Sequence, residues 1–183
     1  MRCWYHTRMN YFQGNKDHPQ HISVGAVMRN GEGLIRVHHF PKEMASGFWK
    51  SVGVTDFYIL MRKTIEQNET LEHALARGLQ EEFNAVARLD DYLGAIVSTA
   101  YDQRDAAVTY PFQKTTLYFL CTYEKDAGVV RDMSDAEGQS ELEWRSAEEL
   151  IPIMRAQKEA FGRDDVDESA ILARYLGLTA SAD

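Results

Sequence analysis

One stretch, LMRKTIEQNETLEHALARGLQEEFNA at residues 60–85, decides the fold of this chain. Its apolar side chains recur at the period of an α-helix, at Leu71, Leu75, Leu79 and Phe83. Thr70 stands directly before this pattern and is a suitable N-cap. The stretch therefore predicts a helix over residues 70–83, entered from a polar loop.

The same stretch carries charged side chains in a close pattern. Glu66 and Glu69 precede the helix, whereas Arg77, Glu81 and Glu82 lie inside it. Neighbouring carboxylates on a helix can converge on a hard cation such as Mg²⁺, which prefers oxygen ligands. Arg77 lies four residues before Glu81 and can hold that carboxylate. A solvated helix surface would show the same residues, so this pattern alone leaves metal binding open.

Strand and helix signals surround this stretch. The Asn-Gly pair in the turn at 29–33 favours a hairpin, and Ser146 with Glu149 forms a capping box that opens a helix. This order of elements predicts an α/β domain with helices on both sides of a sheet. Strands are predicted over 21–28, 34–40, 57–61, 92–100 and 115–123, and a final helix over 167–176.

The length of 183 residues suits a single domain. We divide the chain into an N-terminal extension at 1–20, one domain at 21–178 and a tail at 179–183. Cys3 and Cys121 are too few for a disulfide framework and lack metal-ligand spacing. The cytoplasm is therefore the expected location.

The charge balance limits the partners that this chain can take. The formal net charge is −8, which disfavours nucleic acid as a partner. No apolar run approaches the ~20 residues of a membrane-spanning helix, so we expect no membrane partner. A phosphate-containing small molecule remains compatible with this charge if a divalent cation bridges the like charges.

The central stretch resembles the Nudix box. That motif runs glycine, five residues, glutamate, seven residues, Arg-Glu, an aliphatic residue, any residue, Glu-Glu, any residue, glycine and an aliphatic residue. Glu69 matches the first glutamate, and Arg77 follows after seven intervening residues, with Leu79, Glu81 and Glu82 in register. The resemblance extends over about 22–176 and implies an α+β Nudix-type fold, a mixed β-sheet packed between helices in an α/β/α sandwich.

The resemblance implies an activity and a set of site residues. Nudix enzymes hydrolyse a nucleoside diphosphate linked to another moiety, using Mg²⁺ or Mn²⁺ and a metal-activated water. It implies Glu69, Glu81 and Glu82 as metal ligands, and Arg77, Glu81 and Glu82 as catalytic residues. The partner it implies is a small nucleotide-like diphosphate.

Several positions depart from the box. Lys63 replaces its first glycine, Arg62 the glycine before it, Asn84 its late glycine and Gly78 the glutamate after the arginine. In many Nudix enzymes that glutamate binds metal or acts as the base. A base from a later loop is the alternative, and there Glu141 ranks ahead of Glu137 and Glu143. The candidate phosphate contacts are Arg62, Lys63, Arg104 and Lys114.

Two functions therefore remain open from the sequence. One is a Nudix-type hydrolase with a degenerate box, and the other is a catalytically inactive Nudix-fold domain that binds a nucleotide-like ligand or a protein. Homodimers are the commonest soluble oligomers, and the sequence leaves a homodimer open. His38 and His39 are adjacent in a predicted strand, so they face opposite ways and cannot easily share one metal ion.

Overall fold

The structure is a computed structural model that describes residues 10, 12–15, 17–44, 55–102 and 110–180. Within these ranges, seven strands form one mixed sheet. They are β1 (Gln20–Arg29), β2 (Ile35–Phe40), β3 (Phe57–Ile59), β4 (Met61–Thr64), β5 (Ala85–Asp102), β6 (Tyr110–Asp126) and β7 (Glu141–Arg145). The α-helices are α1 (Leu71–Phe83), α2 (Ala136–Gln139), α3 (Ala147–Phe161) and α4 (Ser169–Ala180), with 3₁₀ turns at Lys42–Met44 and Asp164–Val166.

Strand β1 is the centre of the sheet. It pairs in parallel with β6 and antiparallel with β4, and the sheet continues in the order β3-β2-β1-β6-β5. Strand β7 pairs with β2, on which it places Glu141 opposite His39 and Leu142 opposite His38. This mixed arrangement agrees with the fold class that the sequence predicts.

Helices cover both faces of the sheet. Successive side chains of β1 point to opposite faces, and the apolar side chains on each face pack against helices. Val24, Ala26 and Met28 pack under α1. Val27 packs on the other face, in a core cluster to which α3 contributes Leu150 and α4 contributes Ile171. The two layers confirm the α/β/α sandwich. No helix in the described ranges is long and apolar enough to cross a membrane.

Local signals in the sequence predicted the ends of the helices. The backbone N–H of His73 donates to Thr70 Oγ1, which caps α1, and the Glu149 N–H donates to Ser146 Oγ, which caps α3. Asn84 ends α1 with a left-handed φ of 49°. The box glycine is therefore replaced by a residue that tolerates this conformation.

The observed strands differ from the predicted ones in length and in number. The predicted strand at 57–61 is divided into β3 and β4, and β7 was not predicted. Strand β5 begins at Ala85, directly after α1, instead of at residue 92. Its register against β6 shifts between Val86 and Ala87, between Leu89 and Asp91, and between Tyr92 and Gly94. Bulges of this kind interrupt the alternation of polar and apolar residues, which explains why the pattern did not show this strand's start.

Candidate active site

Arg77 fixes the loop that enters α1. Its Nε donates to Glu69 Oε1 at 2.9 Å, and its Nη2 donates to Glu69 Oε2 at 2.8 Å and to the Thr64 carbonyl at 2.9 Å. These hydrogen bonds lower the pKa of Glu69 to about 2. The predicted ligand Glu69 is therefore bound to the predicted catalytic residue Arg77, and the two hold the loop in shape.

Lys63 reaches the two remaining box carboxylates. Its side chain leaves β4 toward α1, with Nζ 2.9 Å from Glu81 Oε2 and 3.4 Å from Glu82 Oε1. Burial alone would lower the pKa of Lys63, but the hydrogen bond to Glu81 and the charge of Glu82 raise it above its usual value. The ammonium group therefore stays charged between the two carboxylates.

Glu82 also contacts a series of hydrogen-bonded polar side chains that the sequence did not reveal. Its Oε2 lies 3.3 Å from His38 Nε2, and His38 Nδ1 lies 2.7 Å from Ser140 Oγ. Arg131 Nη2 donates to the same Ser140 Oγ at 2.7 Å. His38 is fully buried, so it positions Glu82. Its place on the core-facing side of β2 was the one available signal.

Gly78 has no space for a side chain. A Cβ atom built on it would lie 2.7 Å from Met61 Sδ and 2.9 Å from Lys63 Cβ. Contacts this short force neighbouring atoms to move, and the Lys63 Cβ is held close to its backbone. The box glutamate therefore cannot simply be restored at this position while Lys63 is present.

Arg62 points away from Lys63 because the two are successive residues of β4. Its Nη1 donates to the Asp165 carbonyl at 2.5 Å, and its Nε lies 3.7 Å from Glu168 Oε1. Burial alone would lower the pKa of Arg62, but the charges of Glu168, Tyr118 and Asp165 raise it. The predicted phosphate contact is thus engaged in a buried ion cluster.

Lys114 joins this ion cluster from β6. Burial and the nearby Arg62 charge lower its pKa from 10.5 to about 8. The side chain is half-buried and stays close to Arg62, Asp165 and Glu168. Arg104, the fourth predicted phosphate contact, lies outside the described residues.

Replacing Lys114 by methionine should stabilise the protein at pH 7. The lysine binds fewer protons in the folded than in the unfolded state between about pH 8 and pH 10.5. Its charge therefore opposes folding below pH 8, and we expect Lys114→Met to add ~1–3 kcal/mol to the free energy of unfolding at pH 7. Urea unfolding should show this gain shrinking as the pH rises through that window.

A matched control for this result is Lys125→Met, which removes an exposed lysine from the same strand. We expect it to change the free energy of unfolding by less than ~0.5 kcal/mol, both at pH 7 and as the pH rises through the same window. A destabilised Lys114→Met protein would contradict the assignment of Lys114 as a charge that opposes folding.

The structure does not bring Glu141 to the box helix. Its carboxylate lies 3.9 Å from His39 Nδ1, and His39 faces away from His38 because the two are successive residues of β2. Glu137 instead lines a pocket together with Glu82. Of the three loop glutamates weighed in the sequence, Glu137 is the one placed beside the box.

A model of the NUDIX domain family matches residues 19–166 of the chain. The chain belongs to the Nudix family. Its fold is similar to that of a NUDIX hydrolase from Nitrosomonas europaea, with 15% sequence identity, 85% of this chain and 88% of that chain covered, and a TM-score of 0.50. It is also similar to the Escherichia coli ORF135 protein, with 15% identity, 87% and 91% covered, and a TM-score of 0.51. No curated protein has a significantly similar sequence.

Nudix hydrolases generally use divalent metal ions, and the box residues of this chain do not fit such an ion. Glu69 is bound by Arg77, and Lys63 lies between Glu81 and Glu82. Within the described ranges, the one group of histidine and acidic side chains with ligand atoms close enough to share an ion is His39, Glu141 and Glu143. That group lies apart from the Nudix box.

Proposed function

We propose that this Nudix domain binds a nucleoside diphosphate linked to another moiety, with little or no metal-dependent hydrolysis. The Nudix family acts on small nucleotide-like substrates. The observation that carries the proposal is a cleft of about 450 Å³ beside the box, lined by the basic side chains of Lys63 and Arg77. Arg62 also lines the cleft, but its guanidinium contacts Asp165 and Glu168 in the buried ion cluster.

The phosphates would contact the exposed parts of these basic side chains. Lys63 and Arg77 each keep 22% of their side chain exposed, whereas only 8% of the Arg62 side chain is exposed. Four carboxylates line the same cleft, so the phosphates compete with them for the cations. We therefore expect modest affinity that falls as salt is added. These carboxylates belong to Glu66, Glu82, Asp135 and Glu137.

Weak or absent hydrolysis is expected from the two box positions that could supply a base. Gly78 provides no proton acceptor, and Glu82 is 6% exposed and already contacts both Lys63 and His38. Both oxygens of this carboxylate already have a partner, so a water molecule has little access to it. The arrangement supports recognition of the ligand better than activation of water.

Metal-dependent hydrolysis is the second candidate, and one observation favours it. A pocket of about 280 Å³ contains Asp132, Asp135 and Glu137 beside Glu81 and Glu82. The pocket lining has five carboxylates and only one ammonium group, that of Lys63, so its net negative charge would attract a divalent cation. The alternative therefore differs from the main proposal in its dependence on metal.

One experiment separates the two candidates. Binding of ADP-ribose, a dinucleoside polyphosphate and a nucleoside triphosphate would be measured by calorimetry in EDTA, and product release would be measured with and without Mn²⁺. We expect binding in EDTA, weakened at least ~10-fold by Lys63→Met, or ~1.4 kcal/mol, and unchanged by Lys125→Met. Turnover that requires Mn²⁺ and disappears in Glu82→Gln would support the second candidate, and absence of binding to the whole panel would contradict the first.

A further inference from the structure

We propose that the Lys63 ammonium takes the place of a divalent cation at the Nudix box, and that Lys63 and Gly78 form one coupled replacement. The ammonium contacts Glu81 Oε2 at 2.9 Å and Glu82 Oε1 at 3.4 Å. A lysine in this position supplies a fixed positive charge on the helix carboxylates. The inference holds whichever ligand the cleft takes.

Charge pairing around the box supports this assignment. Arg77 contacts Glu69 through two hydrogen bonds and lies 3.6 Å from Glu81. Lys63 bridges Glu81 and Glu82, so each of these three carboxylates has a basic partner. A divalent cation would have to displace the ammonium and would be repelled by both basic groups at short range.

Steric contact explains why the two replacements belong together. The Cβ atom of any side chain at position 78 would lie 2.9 Å from Lys63 Cβ. A lysine at 63 and a glutamate at 78 therefore compete for one space, whereas a glycine at 63 would remove one of the clashing atoms. The exchange also removes one negative charge from the cluster and adds one positive charge. Both changes make the cluster less negative and so weaken its attraction for a divalent cation.

Chemically, the exchange converts a site for a removable ion into a covalently attached monocation. Lysine carries a compact point charge on a flexible stem and can contact an anion without bound metal. The site needs no divalent ion to neutralise Glu81 and Glu82. Its charge state should therefore be insensitive to chelators.

Direct measurement of metal binding tests the proposal without any nucleotide. Free Mn²⁺ would be titrated into the full chain and followed by electron paramagnetic resonance. For the natural protein we expect a dissociation constant for Mn²⁺ of about 1 mM or higher. Lys63→Met should strengthen Mn²⁺ binding at least ~10-fold, and the double change Lys63→Gly with Gly78→Glu at least ~100-fold, since each factor of ten is ~1.4 kcal/mol.

One control and one fallback variant complete the test. Lys125→Met removes an exposed lysine of β6 and should leave Mn²⁺ binding unchanged. If the double variant does not fold, Lys63→Met alone is sufficient for the test. It keeps most of the aliphatic part of the lysine side chain and leaves Gly78 unchanged. Micromolar Mn²⁺ binding by the natural protein, or no gain in Lys63→Met, would overturn the proposal, whereas nucleotide binding in EDTA is judged separately.

Discussion

Glu168→Gln should lower the free energy of unfolding by about 3 kcal/mol. Glu168 is 1% exposed, its Oε2 accepts the Leu60 N–H at 2.6 Å, and its Oε1 accepts the Tyr118 hydroxyl. The same Oε1 lies 3.7 Å from Arg62 Nε. Glutamine keeps the shape of the side chain but removes the charge, and the buried guanidinium of Arg62 loses its main partner.

The Glu168 carboxylate and the Arg62 guanidinium are both buried, and the attraction between them is mutual. Burial raises the pKa of Glu168 despite the attraction of Arg62. Burial would lower the pKa of Arg62, yet Glu168 and its neighbours raise it. Removing the carboxylate would leave the Arg62 guanidinium buried without its acidic partner, which is the costly part of the change. Relief of the buried carboxylate's own desolvation keeps the loss near the lower end of the ~3–5 kcal/mol range for broken buried pairs.

Urea unfolding at pH 7 measures this effect. The control is Glu148→Gln, which neutralises an exposed glutamate in the first turn of α3 and should cost less than ~1 kcal/mol. If the two variants were equally stable, the ion cluster beneath the sheet would contribute nothing specific to folding.

Gly78→Ala should destabilise the protein by ~1–3 kcal/mol, although alanine is the better helix former by about 1 kcal/mol. The new Cβ would meet Met61 Sδ at 2.7 Å and Lys63 Cβ at 2.9 Å, and Met61 is fully buried. Gly78→Glu should cost more, because a larger side chain and a second charge enter the same space.

A matched glycine and a coupled variant test the cause. Gly177 lies in α4 with nothing within 4 Å of its Cβ position, so Gly177→Ala should stabilise the protein by ~0.5–1 kcal/mol. In a Lys63→Gly background, Gly78→Ala should cost at least ~0.5 kcal/mol less than in the natural chain. Equal costs in the two backgrounds would show that Lys63 does not set the need for glycine.

Signals that lie close together in the chain predicted much of the fold. The period of α1, its cap at Thr70, its end at Asn84 and the cap at Ser146 all depend on neighbouring residues. The site required tertiary information. No local pattern shows that Lys63 Cβ lies beside Gly78, or that His38 reaches Glu82 across 44 positions.

The alternation of side chains along a strand separates residues that lie close together in the sequence. Arg62 and Lys63 were both expected to contact phosphate, but successive residues of β4 point to opposite faces and only Lys63 approaches the box carboxylates. As a candidate base, Glu141 is expected from the sequence to rank ahead of Glu137 and Glu143. Its position opposite His39 in the register directs it away from Glu82.

The parallel pairing of β1 with β6 has a consequence for synthesis of the chain. The register joins Gln20 to Gln113, partners about ninety residues apart. Because translation is vectorial, the central strand emerges from the ribosome long before its parallel neighbour exists. Closing so long a loop is slow compared with forming the β5–β6 hairpin. The nascent chain should therefore expose the apolar side chains of β1 to chaperones until β6 has been made.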